Sequence, residues 1–193
     1  KIRLYRELET SQKSRVSVMP KKIDLNTRRA DRSSDENGIN VLHGLDDLCK
    51  NYITKDTSMI EMGCLDGVST SLFAHYAKIV HTIDNNPEPV RTRIYENIIF
   101  YKGPFKRIFP KLTLAYPDKF DLIYIDGSHY YERVCQDIEL ALTLIKDTGY
   151  ISGHDYTRLE YSDVIKAVED RLKVKPEVFS DSSWIIKVSD LND

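Results

Sequence analysis

Cysteine is scarce and unpaired: Cys49, Cys64 and Cys135 are odd in number, widely spaced and without a C-x-x-C pair. That excludes a disulfide framework and a zinc-finger spacing, and it fits a reducing compartment. Long apolar runs are missing too, none approaching the roughly 20 residues that cross a bilayer. The charged opening KIRLYRELE does not read as a secretory leader, so a cytoplasmic chain without membrane segments is expected. Excess charge of one sign is also lacking. A net charge of −2 gives no global attraction to nucleic acid or to a membrane surface. No internal repeat or low-complexity stretch interrupts the chain, which excludes solenoid and linker architectures.

What is present is an ordinary globular composition: 193 residues, 41% hydrophobic and 30% charged. That length buries one core of normal size. The charge is unevenly spread. Residues 1–40 hold ten Lys and Arg against six Asp and Glu, a balance of +4, so the remainder carries −6. Residues 1–40 are therefore expected to be a basic arm or cap, and 41–193 the folded domain.

After Asn40, Leu42, Leu45, Leu48 and Tyr52 recur at helical spacing, predicting a helix over about 42–53. Short apolar runs then alternate with helical patterns. Strands are expected at 58–62, 79–83, 97–101, 120–125 and 149–153, with helices at 67–77, about 87–96, 104–115 and 130–146. A helix at 162–173 and short strands near 176–179 and 184–188 close the chain. Such alternation gives βαβ units, hence an α/β, doubly wound, mainly parallel sheet with helices on both faces.

Ligands bind such sheets beyond the carboxyl ends of the strands. The first strand-to-helix turn, Glu61-Met-Gly63-Cys-Leu-Asp66-Gly67-Val-Ser69, has two glycines that allow a tight turn and close backbone approach to a ligand. Its G-x-x-x-G spacing differs from the G-x-G-x-x-G of dinucleotide sites, which argues against NAD. Asp84 follows the second strand, where a carboxylate can accept both hydroxyls of a ribose, and folding is expected to survive its removal; its other reading is a helix N-terminal charge or cap, a role that Asn86 before Pro87 fills equally well. Asp126 and His129 follow the fourth strand, and His154 and Asp155 the fifth, so adjacent strands bring two His and two Asp together. Glu132 and Asp137 lie in the next helix and are expected to face solvent or to serve as favourable first-turn charges.

These residues carry a family resemblance. The chain resembles class I S-adenosylmethionine-dependent methyltransferases of Rossmann-like fold, in the small-molecule O-methyltransferase branch related to catechol O-methyltransferase. It is most similar to the family whose fourth and fifth strands read D-G-x-H-x-Y … G-G-x-x-x-x-H-D. The matching segments are Glu61–Ser69 (E-x-G-x-x-x-G-x-S), Thr82–Glu88, Gly103–Leu112 and Phe120–Tyr156. The resemblance implies a seven-stranded sheet whose last strand is antiparallel. It implies that S-adenosylmethionine is the cofactor, with Glu61, Gly63, Gly67, Ser69, Asp84, Gly103 and Asp126 around it. It further implies a divalent metal, magnesium or a transition ion, on Asp126, His154 and Asp155, and a general base that falls on His129. Departures from the pattern are specific. His154 stands where relatives have an oxygen ligand, Phe105 and Lys106 stand at the adenine-reading polar pair after strand three, and Thr148-Gly149 replaces Gly-Gly.

The chemistry follows from the residue types as well. An alcohol is a weak nucleophile at neutral pH and needs its proton removed, which a histidine such as His129 can do beside Asp126. The expected reaction is methylation of a hydroxyl on a small molecule of sugar, phenol or natural-product type. Other classes are RNA or protein methylation using the basic arm, and a non-catalytic cofactor-binding relative. The arm's aromatic content, Tyr5 alone, disfavours nucleic acid as partner. The sequence gives no reading of oligomeric state.

Overall fold

The computed structural model describes residues 23–27, 42–117 and 119–192. Among the described residues there are five helices: α1 (His43–Tyr52), α2 (Val68–Tyr76), α3 (Phe105–Ala115), α4 (Tyr131–Leu144) and α5 (Ser162–Leu172). Seven strands alternate with them: β1 (Ser58–Met62), β2 (Ile79–Asp84), β3 (Ile98–Lys102), β4 (Phe120–Ile125), β5 (Ile145–Gly153), β6 (Glu177–Val178) and β7 (Trp184–Lys187). The sheet order is β3-β2-β1-β4-β5-β7-β6. The first five of these strands in that order pair in parallel, and β7 runs antiparallel to both β5 and β6. This is the seven-stranded, Rossmann-like sheet expected, with its last strand reversed.

The central strands are apolar almost throughout because both of their faces are covered. Alternation along β1 shows this: Met59 packs with α1 and α2, while Ile60 and Met62 pack with α3, α4 and α5. Two cores therefore flank the sheet. In the expected arm, only residues 23–27 are described; the backbone N–H of Leu42 donates to the Leu25 carbonyl at 2.9 Å, and Ile23 and Leu25 pack on the α1–α2 side. The rest of residues 1–40 lies outside the described residues. Among the described residues no helix is long and apolar enough to cross a membrane.

Two expected elements differ. The helix at 87–96 is a single 3-10 turn, Val90–Ile94. Pro87 and Pro89 each lack a backbone donor and push the preceding residue out of helical conformation, so no longer helix can start there. The helix expected to run to residue 146 stops at Leu144, and β5 begins at once with Ile145 instead of at 149. Ile145 pairs with Phe120 and buries its side chain in the α4-side core, while an irregularity between Phe120 and Leu122 absorbs the extra residues.

Strand order reverses between β1 and β4. The carboxyl ends of β2, β1, β4 and β5 consequently lie in a row, and the loops that follow them enclose a cleft of about 940 Å³. That volume is the size of a small-molecule site.

Candidate active site

The turn after β1 is built from strained backbone. Gly63, Leu65 and Gly67 have φ of 95°, 46° and 79°. At Gly63 the requirement for glycine is steric as well, because a Cβ there would come 2.2 Å from the Asp126 carbonyl oxygen. The β4 loop is drawn in by the Asp126 N–H, which donates to the Met62 carbonyl at 2.9 Å.

Two carboxylates fasten this turn. Glu61 is fully buried and accepts hydrogen bonds from the hydroxyls of Ser69 (2.5 Å), Thr70 (2.5 Å) and Thr82 (2.8 Å). Burial pushes its carboxyl up to about 7, against those three bonds, and the charge of Asp126 adds to the rise. Asp84, at the end of β2, accepts from the backbone N–H groups of Cys64 (2.9 Å), Leu65 (3.0 Å) and Asn86 (2.8 Å). Asp84 thus ties the first turn to the second.

At the ends of β4 and β5 the two His and two Asp do converge. The buried Asp155 is the hub: its Oδ2 lies 2.8 Å from His129 Nε2, and its Oδ1 lies 2.9 Å from His154 Nδ1 and 3.3 Å from Arg158 Nη1. Burial pushes the Asp155 carboxyl up, but the hydrogen bonds and charge of His129 and His154 outweigh it and hold the group well below the usual carboxylate range. An ionised carboxylate only accepts, so His129 Nε2 and His154 Nδ1 are the protonated nitrogens. The His129 ring also stacks on Tyr161, with centroids 4.0 Å apart and planes at 18°. His154 Nε2 is buried without a hydrogen-bond partner, 3.9 Å from Asp181 Oδ2. Ligand atoms of Asp126, His154 and Asp155 all lie within 4.8 Å of one another.

The chain agrees over residues 60–156, half of its length, with the family described as a methyltransferase domain. It belongs to that methyltransferase family. An uncharacterized protein of Acanthamoeba polyphaga mimivirus is 25% identical over 145 residues, covering 67% of this chain; the chain spans 65% of that relative's length. Among solved structures, a TDP-rhamnose 3'-O-methyltransferase of calicheamicin biosynthesis superposes with a TM-score of 0.60 at 9% identity, covering 75% of this chain and 77% of the other. An O-methyltransferase from Bacillus cereus in complex with SAH gives 0.58 at 15% identity, covering 96% and 90%. At such identities these two likenesses establish the shared fold.

In this member of the family the cleft is lined by Gly63, Ser69, Asp84, Asp126, His129, His154 and Asp155 from the expected set. Glu61, Gly67 and Gly103 are not on its wall. Glu61 lies beneath it, holding hydroxyls; Gly67 abuts Thr92, and Gly103 has φ 141° with the Arg107 guanidinium over the place a Cβ would take. Phe105 and Lys106 do line the cleft.

Three contributors went unread in the sequence. Asp137, expected to face solvent, is 7% exposed and lines the cleft. Its spacing to Val134, Ile138 and Ala141 puts it on the buried stripe of α4, a signal available from periodicity. Arg158 and Tyr161 follow β5 in an irregular segment, where no pattern foretells that one guanidinium and one ring fold back on Asp155 and His129.

Proposed function

We propose that this methyltransferase transfers a methyl group from S-adenosylmethionine to a hydroxyl of a small molecule, with His129 as general base. The observation that carries the reading is the 2.8 Å contact of His129 Nε2 with Asp155 Oδ2 in the cleft wall. With Nε2 protonated and donating to Asp155, the lone pair sits on Nδ1, and Nδ1 takes the hydroxyl proton. The ionised Asp155 fixes the ring and stabilises the imidazolium that forms, while stacking on Tyr161 sets the ring plane. S-adenosylmethionine supplies an electrophilic methyl on a sulfonium: the oxygen lone pair forms the new O–C bond, and the C–S electrons return to sulfur. The chain's other residues align the partners. The first turn presents bare backbone at Gly63 to the methionine portion. Asp84 Oδ1, which accepts one amide, keeps a lone pair for a ribose hydroxyl. A location in the cytoplasm, and residues 1–40 as a basic arm or cap, belong to the same proposal.

A second reading adds a divalent ion, favoured by the Asp126, His154 and Asp155 cluster and by the unpartnered His154 Nε2. Two carboxylates and an imidazole fit zinc, iron or nickel better than magnesium. Such an ion, when bound, supplies Lewis acidity that lowers a hydroxyl pKa.

The test is a panel of sugar, phenol and polyketide acceptors, with RNA and protein beside them, assayed for labelled methyl transfer with and without a chelator. His129→Ala should lower turnover by about 10²–10⁴-fold with cofactor affinity nearly unchanged. A stable His129→Ala chain with wild-type turnover removes His129 from the mechanism. Activity that chelation abolishes and an added ion restores establishes the second reading; activity that ignores the chelator dismisses it.

A further inference from the structure

We propose that Asp137, from the second turn of α4, recognises the 6-amino group of the cofactor's adenine. The inference rests on the S-adenosylmethionine reading above and adds a specificity-determining residue to it. Three features of the cleft wall meet at one place. Gly127 presents no side chain; a Cβ there would come 2.8 Å from Phe105 Cε2, 3.0 Å from Phe105 Cζ and 3.6 Å from Asp137 Oδ2. Phe105, Gly127 and Asp137 all line the cleft. Packed side by side, an aromatic ring, a bare backbone and a carboxyl make one stretch of cleft wall against which a flat heteroaromatic ring with a hydrogen-bonding edge can lie.

The carboxyl itself lacks a donor. Among the described residues nothing donates a hydrogen bond to Asp137; Arg133 and Lys106 act on it through their charge, without an ion pair within 4.0 Å. Its neighbour Gln136, also on the cleft wall, has a buried Oε1 without a partner. Buried acceptors without donors are costly and become favourable when a ligand supplies N–H groups. An aromatic amine does so, and adenine carries one such amine on its ring. Burial pushes the Asp137 carboxyl up to about 7, against the charges of Arg133 and Lys106. The neutral acid is therefore accessible near physiological pH, and it can accept from the amine through one oxygen while donating to a ring nitrogen through the other. This also accounts for Phe105 and Lys106 after β3: the polar reading comes from α4, and Phe105 supplies the apolar face.

Calorimetric titration of S-adenosylhomocysteine against its analogue lacking the 6-amino group tests the assignment. The wild-type chain should bind the analogue about tenfold more weakly, the worth of one such hydrogen bond. Asp137→Ala, or Asp137→Val if the first variant does not fold, should bind both alike. Asp137→Asn keeps an oxygen acceptor and should retain the contrast, which a merely structural role would not produce. Equal binding of both ligands by the wild-type chain overturns the proposal, as does an undiminished contrast in the Ala or Val variant. If the wild-type chain binds neither ligand, the cofactor reading fails and this inference falls with it; binding of both without contrast removes Asp137 alone.

Discussion

Removing the Asp84 carboxylate should destabilise the protein before any cofactor is added. The Ala variant strips the acceptor from three backbone N–H groups, those of Cys64, Leu65 and Asn86. They are not equivalent. Cys64 is 3% exposed, so its N–H is left without water, at about 1.5–3 kcal/mol for a donor taken from a charged partner. Leu65 is 56% exposed and Asn86 lies on the surface, so water replaces their acceptor at about 0.5 kcal/mol each. The total is about 3 kcal/mol, which for a chain of this size lowers Tm by about 6–12 °C. Asp84→Asn keeps one oxygen and should fall in between. Urea unfolding and thermal melting of the ligand-free variants read the effect. A ligand-free Asp84→Ala chain with the wild-type Tm refutes the claim that this carboxylate holds the two turns together. If the variant is destabilised yet binds S-adenosylhomocysteine as the wild type does, the ribose contact lies elsewhere.

Gly63→Ala places a methyl 2.2 Å from the Asp126 carbonyl at φ 95°. Left-handed strain and overpacking together should cost about 3 kcal/mol or more, visible as a lower urea midpoint, and an unchanged midpoint would contradict the geometry. His81 offers a pH test. It is buried among Tyr101, Tyr116 and Phe120, bonded at 3.0 Å to the Tyr101 hydroxyl through Nδ1, and burial lowers its pKa to about 4. A folded pKa below the unfolded 6.5 means that stability is present above pH 6.5 and is lost as pH falls toward 4, by about 3 kcal/mol in all. His81→Phe should flatten the stability profile over that window; parallel profiles for the two chains would refute it.

The mainly parallel, doubly wound sheet was legible because buried parallel strands read as apolar runs and their connecting helices as 3.6-residue periods, whereas its seven strands and reversed last strand came from the family resemblance and its strand order from the structure alone. The strand-end residues Asp84, Asp126, His129, His154 and Asp155 were legible for the same reason, since position in a βα unit fixes where a turn residue emerges. Less visible was what those residues hold. Asp84 reads as a ligand-facing carboxylate, yet its oxygens also fasten backbone amides two turns apart, a contact set by loop geometry. Arg158 and Tyr161 owe their places to a 3-10 turn without periodicity. Asp137 was misread because charge was weighed above helical phase. The elements that failed, at 87–96 and around 145, are those where prolines or strand pairing override helix propensity.

The central claim, a methyltransferase cleft built for a sulfonium cofactor, is tested most directly by calorimetry of the purified protein with S-adenosylhomocysteine and, separately, with NAD. S-adenosylhomocysteine should bind at one site per chain, raise Tm as any ligand of the folded state must, and show no competition from NAD. Binding of NAD with no response to S-adenosylhomocysteine would contradict the account.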